Sequence, residues 1–239
     1  SMTLSDGIVF GENDKVRKVR KTSVDQTLPT VAYKKASVRD NYNEITLIFK
    51  EFSLIFRAYD EGVAYRFTSS LKNDSKVLAE KAQFNFAKDW DAYVPYVKQH
   101  TETLESQYWN SFENTYSINA LSQWNKERLA FLPVAVSAEG GMKVLITESD
   151  LMNYPGMYLY NEGGATTLSG RFAPYPKTVE YGGHNMLQGI VKEREDYLAS
   201  CSAGETFPWR IIMVSTNDAD LAVNDLVWKL GAPADPGQD

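Results

Sequence analysis

Two short apolar runs joined by a turn, Ser53-Leu-Ile-Phe-Arg-Ala-Tyr-Asp-Glu-Gly-Val-Ala-Tyr-Arg-Phe67, constrain this chain more than any other feature. Aromatic and β-branched side chains at this density favour strands, and Gly62 can take the positive φ that a tight reversal demands. The segment predicts a hairpin. Residues 45–49 predict a strand before it, apolar on both faces as between two layers. A second hairpin is expected over 129–136 and 142–147, where Ser137-Ala-Glu-Gly-Gly141 supplies the turn and Glu148 follows directly. Further strands are expected at 77–87, 157–161, 166–172 and 209–215, at the spacing of a sandwich.

One helix is expected near the C-terminus. Asn217 or Asp218 caps it, and Val223, Leu226, Val227 and Leu230 recur at i, i+3, i+4 and i+7 as one apolar stripe. Gly231 and Pro233 end it, and the tail 234–239 has the Pro and Gly content of a linker. A chain of 239 residues with 43% hydrophobic content can bury a substantial core. The expected fold class is therefore all-β: one large antiparallel β-sandwich over 1–233 with a short C-terminal helix.

Charge and cysteine content narrow the chemistry. A net charge of −6 argues against a nucleic-acid partner, since neutralising phosphates takes a surplus of Lys and Arg. The basic run from Lys15 to Lys21 reads as a solvated, exposed strand or loop. A single Cys201 excludes an internal disulfide framework and any multi-cysteine metal site; His100 and His184 leave little for zinc. Cys201 is expected to be a small buried hydrophobe. No run approaches the roughly 18 apolar residues of a membrane span. Ser1-Met2 has the form of a residue pair left by recombinant expression, so an export signal would not be visible here.

The common catalytic signatures are missing: no glycine-rich phosphate loop, no nucleophile elbow, no His-Glu-x-x-His helix. Glu102 with Glu105, and Glu193 with Glu195, are carboxylate pairs that surface charge explains as well as catalysis does. The aromatic segments Trp90–Tyr96 and Tyr108–Phe112 could stack on sugar rings, but in a sandwich most such rings pack in the core. The most unusual segment is Thr147-Glu-Ser-Asp-Leu-Met-Asn-Tyr-Pro-Gly-Met-Tyr158. It mounts Glu148, Asp150 and Asn153 at the exit of a strand. Oxygen-rich loops suit calcium, which takes six to eight oxygen ligands, but three side chains are too few. Either the loop is structural, with Asp150 and Asn153 capping turns, or it lends ligands to a metal completed elsewhere.

Several segments resemble, in order, the N-terminal domain of glycoside hydrolase family 97, the α-glucosidases and α-galactosidases of bacterial glycan-utilisation systems. They are Asp40-Asn-Tyr-Asn-Glu44, Phe56 to Phe67, Thr147 to Tyr158, Thr206-Phe-Pro-Trp-Arg210 and the closing helix. The resemblance implies a galactose-mutarotase-like super-sandwich that precedes a catalytic (β/α)8 barrel and meets an oligosaccharide substrate. The acid and the base or nucleophile belong to that barrel, so the resemblance implies no catalytic residue in this chain. Glu148 matches a glutamate that ligates calcium in the intact enzyme, Asp150 and Asn153 shape the same loop, and Arg210 anchors a strand or interface. The isolated chain is expected to bind calcium poorly. Periplasmic or exported localisation in a bacterium is also implied. Residues 1–39 match poorly, and the family's first strands are expected to be missing. The competing reading is a free-standing carbohydrate-binding module.

Overall fold

A computed structural model describes residues 1–31, 33–162 and 166–232. The expected linker at 234–239, and Pro233 before it, lie outside the described residues. The fold is the expected all-β sandwich. Nine antiparallel strands form one sheet in the order Ser117–Ala120, Asp91–Val94, Val134–Ser137, Lys143–Ser149, Trp209–Ser215, Gly62–Ser69, Phe52–Tyr59, Ser37–Ile48 and Lys18–Pro29. Two smaller sheets oppose it: Ala199–Cys201, Ser75–Glu80, Met2–Leu4 and Val9–Phe10 in one, Met157–Tyr160, Thr167–Phe172 and Gln83–Asn85 in the other.

Side chains alternate between the faces of a strand, so each strand of the large sheet feeds two different cores. The inner face contributes Phe52, Phe67, Val134, Val136 and Ile146, which meet Met2, Phe10, Val77, Leu168 and Cys201 of the smaller sheets in the main core. Cys201 is fully buried, as its apolar reading expects. The outer face contributes Tyr42, Tyr59, Ala64, Trp209 and Ile211, covered by Leu226 and Leu230 of the C-terminal helical segment.

The hairpin around Gly62 forms as expected, with register Phe52↔Ser69 through Tyr59↔Gly62. Gly62 has φ 155°, and a Cβ there would lie 2.4 Å from the Ile212 carbonyl oxygen and 2.9 Å from Met213 Cα, backbone atoms that cannot step aside. Gly62→Ala is therefore expected to cost about 2–3 kcal/mol in strain and overpacking. A urea titration checks this; an unchanged midpoint would show that the sheet absorbs the methyl.

Four expectations change in detail. The strand expected at 45–49 runs from Ser37 to Ile48 and pairs with Lys18–Pro29 over its whole length, and its second half is not sandwiched between layers: Ile45 is 39% exposed. The strand expected at 77–87 divides into Ser75–Glu80 and Gln83–Asn85, which belong to different sheets, with Ala82 buried at the crossover. Of the segment 129–136 only Val134–Ser137 is a strand; Ala130 bridges Tyr96 and Leu159 instead. The C-terminal helical segment is broken into Asp218–Ala222, capped by the Asn217 side chain, and Leu226–Leu230. Leu226 and Leu230 are buried, but the break rotates Val223 and Val227 out of the stripe, to 53% and 43% exposed. Several elements were not expected, among them the strands Asp91–Val94, Ser117–Ala120 and Ala199–Cys201 and an outlying ribbon of Pro176–Gly182 and Gln188–Arg194, which among the described residues pairs with no other strand.

Candidate functional site

The strand Lys143–Ser149 pairs with Trp209–Ser215 so that Glu148 lies directly opposite Arg210, and Arg210 in turn lies opposite Tyr65. All three point from the large sheet toward the smaller ones. Arg210 spans the gap. Its Nε and Nη2 donate to Glu80 Oε1 at 2.9 Å and Oε2 at 2.6 Å, a two-pronged pair with the last residue of Ser75–Glu80. Its Nη1 donates to Glu148 Oε2 at 2.5 Å, and the Met157 N–H donates to Glu148 Oε1 at 2.8 Å. The three side chains are 2%, 5% and 8% exposed for Arg210, Glu80 and Glu148. The guanidinium also lies 5.0 Å from the Phe172 ring and 5.8 Å from the Tyr154 ring.

Two carboxylates thus share one guanidinium, so that with both ionised the cluster carries one negative charge in excess. Glu148 is the less firmly held of the two, since Arg210 donates to it once and to Glu80 twice. Burial, opposed by Arg210 and the Met157 N–H, pushes the Glu148 carboxyl up to about 7. Burial and then Glu80 push the Tyr65 hydroxyl up to about 12, and burial raises the Tyr154 hydroxyl further. Burial works against the charge of Arg210, yet Glu80 and then Glu148 hold it above its ordinary value.

The loop after Glu148 is fixed by Asp150 and Asn153, both in the left-handed region at φ 63° and 56°, which short polar side chains tolerate best. Asp150 does not cap a turn. Its Oδ2 accepts from Arg66 Nη1 at 2.9 Å and its Oδ1 from the Ala232 N–H at 3.2 Å, tying the loop to a neighbouring strand and to the end of the chain's helical segment. Ser149 Oγ donates to the Val227 carbonyl at 2.6 Å and tightens the same junction. Asn153 is exposed and lines a groove of about 240 Å³ with Tyr154, Pro155, Tyr175 and Arg194.

A calcium ion fits this arrangement in one respect. A carboxylate oxygen has two lone pairs, and each Glu148 oxygen accepts one hydrogen bond. Glu148 can therefore still offer one ligand, and an outside cation would offset the cluster's excess charge. Among the described residues, no three His, Cys, Asp or Glu side chains gather to complete a shell.

Arg210 anchors the strand, as its segment suggests, and it does so as the cation that joins the two layers. The surface reading stands for Glu102, Glu105 and Glu193, which are exposed, while Glu195 is half-buried. Sequence reasoning missed Glu80. It sits in an ordinary strand 130 residues from Arg210, and no spacing connects the two.

The model of the glycosyl-hydrolase 97 N-terminal domain matches residues 1–233 of the chain. A "Retaining alpha-galactosidase" of Bacteroides thetaiotaomicron is 49% identical over 236 residues, which are 98% of this chain and 36% of that protein. A family 97 enzyme in complex with acarbose, from Pseudoalteromonas sp. strain K8, superposes with a TM-score of 0.77 at 18% identity over 99% of this chain and 33% of that one. A β-arabinopyranosidase crystal structure superposes with a TM-score of 0.69 at 20% identity over 90% of this chain and 34% of that one. The chain thus spans about a third of the length of the relatives it matches.

Proposed function

Since the chain belongs to the glycosyl-hydrolase 97 N-terminal family, we propose that it is the non-catalytic sandwich of a larger exported α-galactosidase- or α-glucosidase-type enzyme. It packs against a catalytic (β/α)8 barrel that acts on oligosaccharides. The observation that carries this reading is the coverage: nearly the whole chain aligns with an α-galactosidase, yet accounts for 36% of it.

Glu148 is the residue through which the sandwich serves the active site. Its carboxylate is the one that Arg210 holds less firmly, and we assign it as one oxygen ligand of a calcium ion whose remaining ligands come from the barrel. When bound, calcium there supplies a Lewis-acid contact beside the reacting sugar. The chain's own residues hold the ligand in place: Arg210 and the Met157 N–H fix the carboxylate, and Asp150 and Asn153 fix the loop that follows it. The alternative, a free-standing carbohydrate-binding module, finds support in Trp109 and Phe112, 43% and 59% exposed. Both rings are already committed, however, Trp109 to His100 at 4.2 Å and Phe112 to Tyr158 and Phe131.

The test is turnover of aryl α-galactosides and aryl α-glucosides by this chain alone. No release above the buffer rate is expected at any calcium concentration. Sustained release would overturn the reading.

A further inference from the structure

The ribbon Pro176–Gly182 and Gln188–Arg194 has a polarity that its surroundings do not use. Its register pairs Val179 with Val191 and Tyr181 with Gly189, while Glu180 pairs with Ile190 and Gly182 with Gln188. One face therefore presents Val179, Val191 and the Tyr181 ring. The opposite face carries Glu180, Gln188 and Lys192, with Glu180 and Lys192 3.4 Å apart and Ile190 as its apolar side chain. Such alternation is that of a sheet with one face against a core and one against water. In this domain the apolar face is uncovered: Val179 is 45% exposed and Tyr181 73%, and at the tip Met186 is 64% and Leu187 78% exposed. A lone two-stranded hairpin is at best marginally stable in water, and a contiguous apolar patch of this kind marks an interaction surface.

We propose that the apolar face of this ribbon docks onto the catalytic portion of the parent glycosidase. The inference rests on the proposed function above and extends it by naming the contact. Two observations select this occupant over a second copy of the chain. The α-galactosidase relative carries nearly two-thirds of its length beyond the part this chain covers, and a covalently attached body is present at a high effective concentration. The ribbon also rises from the same end of the sandwich as the loop after Glu148. Tyr175, Pro176 and Arg194 at its base share one groove with Asn153, Tyr154 and Pro155. Arg194 locks that base by donating to the Pro174 carbonyl at 2.7 Å and lying 5.7 Å from the Tyr108 ring. A body that reaches Glu148 therefore meets the ribbon beside it.

Hydrogen exchange of the amides in 176–194, measured on this chain alone and on the parent glycosidase, tests the contact. Exchange is expected to slow at least tenfold in the parent, and Tyr181→Glu with Leu187→Glu is expected to restore fast exchange there. The same pair of substitutions should leave the melting temperature of the isolated chain unchanged, because both side chains are exposed in it. Fast ribbon exchange in the parent, alongside slowed exchange in 150–153, would overturn the ribbon contact and leave the proposed function standing. Fast exchange in both segments would overturn both. Sedimentation of the isolated chain as a dimer that the two substitutions dissolve would assign the face to a second copy and overturn the proposal.

Discussion

Arg210→Met is expected to unfold the isolated domain or to cost it about 3–5 kcal/mol, because removing one partner of a buried ion pair leaves its counter-charge uncompensated. Here the loss is compounded. Arg210 is bonded to two carboxylates, each less than a tenth exposed, on opposite layers of the sandwich. Methionine fills much of the same space between the Phe172 and Tyr154 rings but leaves Glu80 and Glu148 facing each other across the core. Chemical denaturation reads the loss directly as a lower midpoint. A companion variant separates charge from shape: with Glu80→Met and Glu148→Leu added to Arg210→Met, most of the loss should return, because apolar triads of similar volume often match or exceed a buried ionic one. A loss below about 1 kcal/mol in the single variant would place it in the range of exposed pairs and contradict the buried triad.

The hairpin at Gly62 and the strand Trp209–Ser215 were legible in the sequence because their information is local. Strand-forming side chains over a few residues, with a glycine where the backbone needs it, decide the element without distant help. The C-terminal helical segment was only half legible. Its 3.6-residue stripe correctly marked Leu226 and Leu230, but the break after Ala222 turned Val223 and Val227 outward; the signal for it is Asn224-Asp225, where Asn224 Oδ1 accepts from the Leu226 N–H at 2.8 Å. Residues 77–87 read as one strand because periodicity is blind to which sheet a strand joins; the transfer at Ala82 is a tertiary decision. The outlying ribbon escaped for a related reason. Its residues include Pro176, Lys177, Glu180, Lys192 and Glu193, a polarity that reads as loop, and only the register reveals that its apolar side chains share a face.

The site divides in the same way. Glu148, Asp150 and Asn153 stood out because oxygen-bearing side chains cluster within one short loop after a strand. Their roles did not, since the sequence shows neither that Asp150 reaches Arg66 nor that Glu80 has claimed most of Arg210. It is this second fact that leaves Glu148 the less firmly held carboxylate, and so gives physical content to a role that resemblance alone had suggested.

Glu148→Ala should separate the two duties of that carboxylate. In the isolated domain Arg210 keeps both bonds to Glu80, and the two remain as a balanced pair. The domain should therefore remain folded, with a melting temperature within a few degrees of the unaltered chain. On the proposed role of Glu148, the same change in the parent glycosidase removes a ligand from the calcium shell. Losing a residue that only orients a metal ligand weakens metal affinity about 10–100-fold, and losing a direct ligand should cost at least that much. The decisive measurement is the calcium concentration that half-restores activity to the chelator-treated parent enzyme, with and without Glu148→Ala, taken together with the calcium-induced rise in its melting temperature. A shift of about tenfold or more to higher calcium in both readouts is the predicted result. Unchanged calcium dependence in a folded variant would contradict the claim that this sandwich lends Glu148 to an active site outside itself.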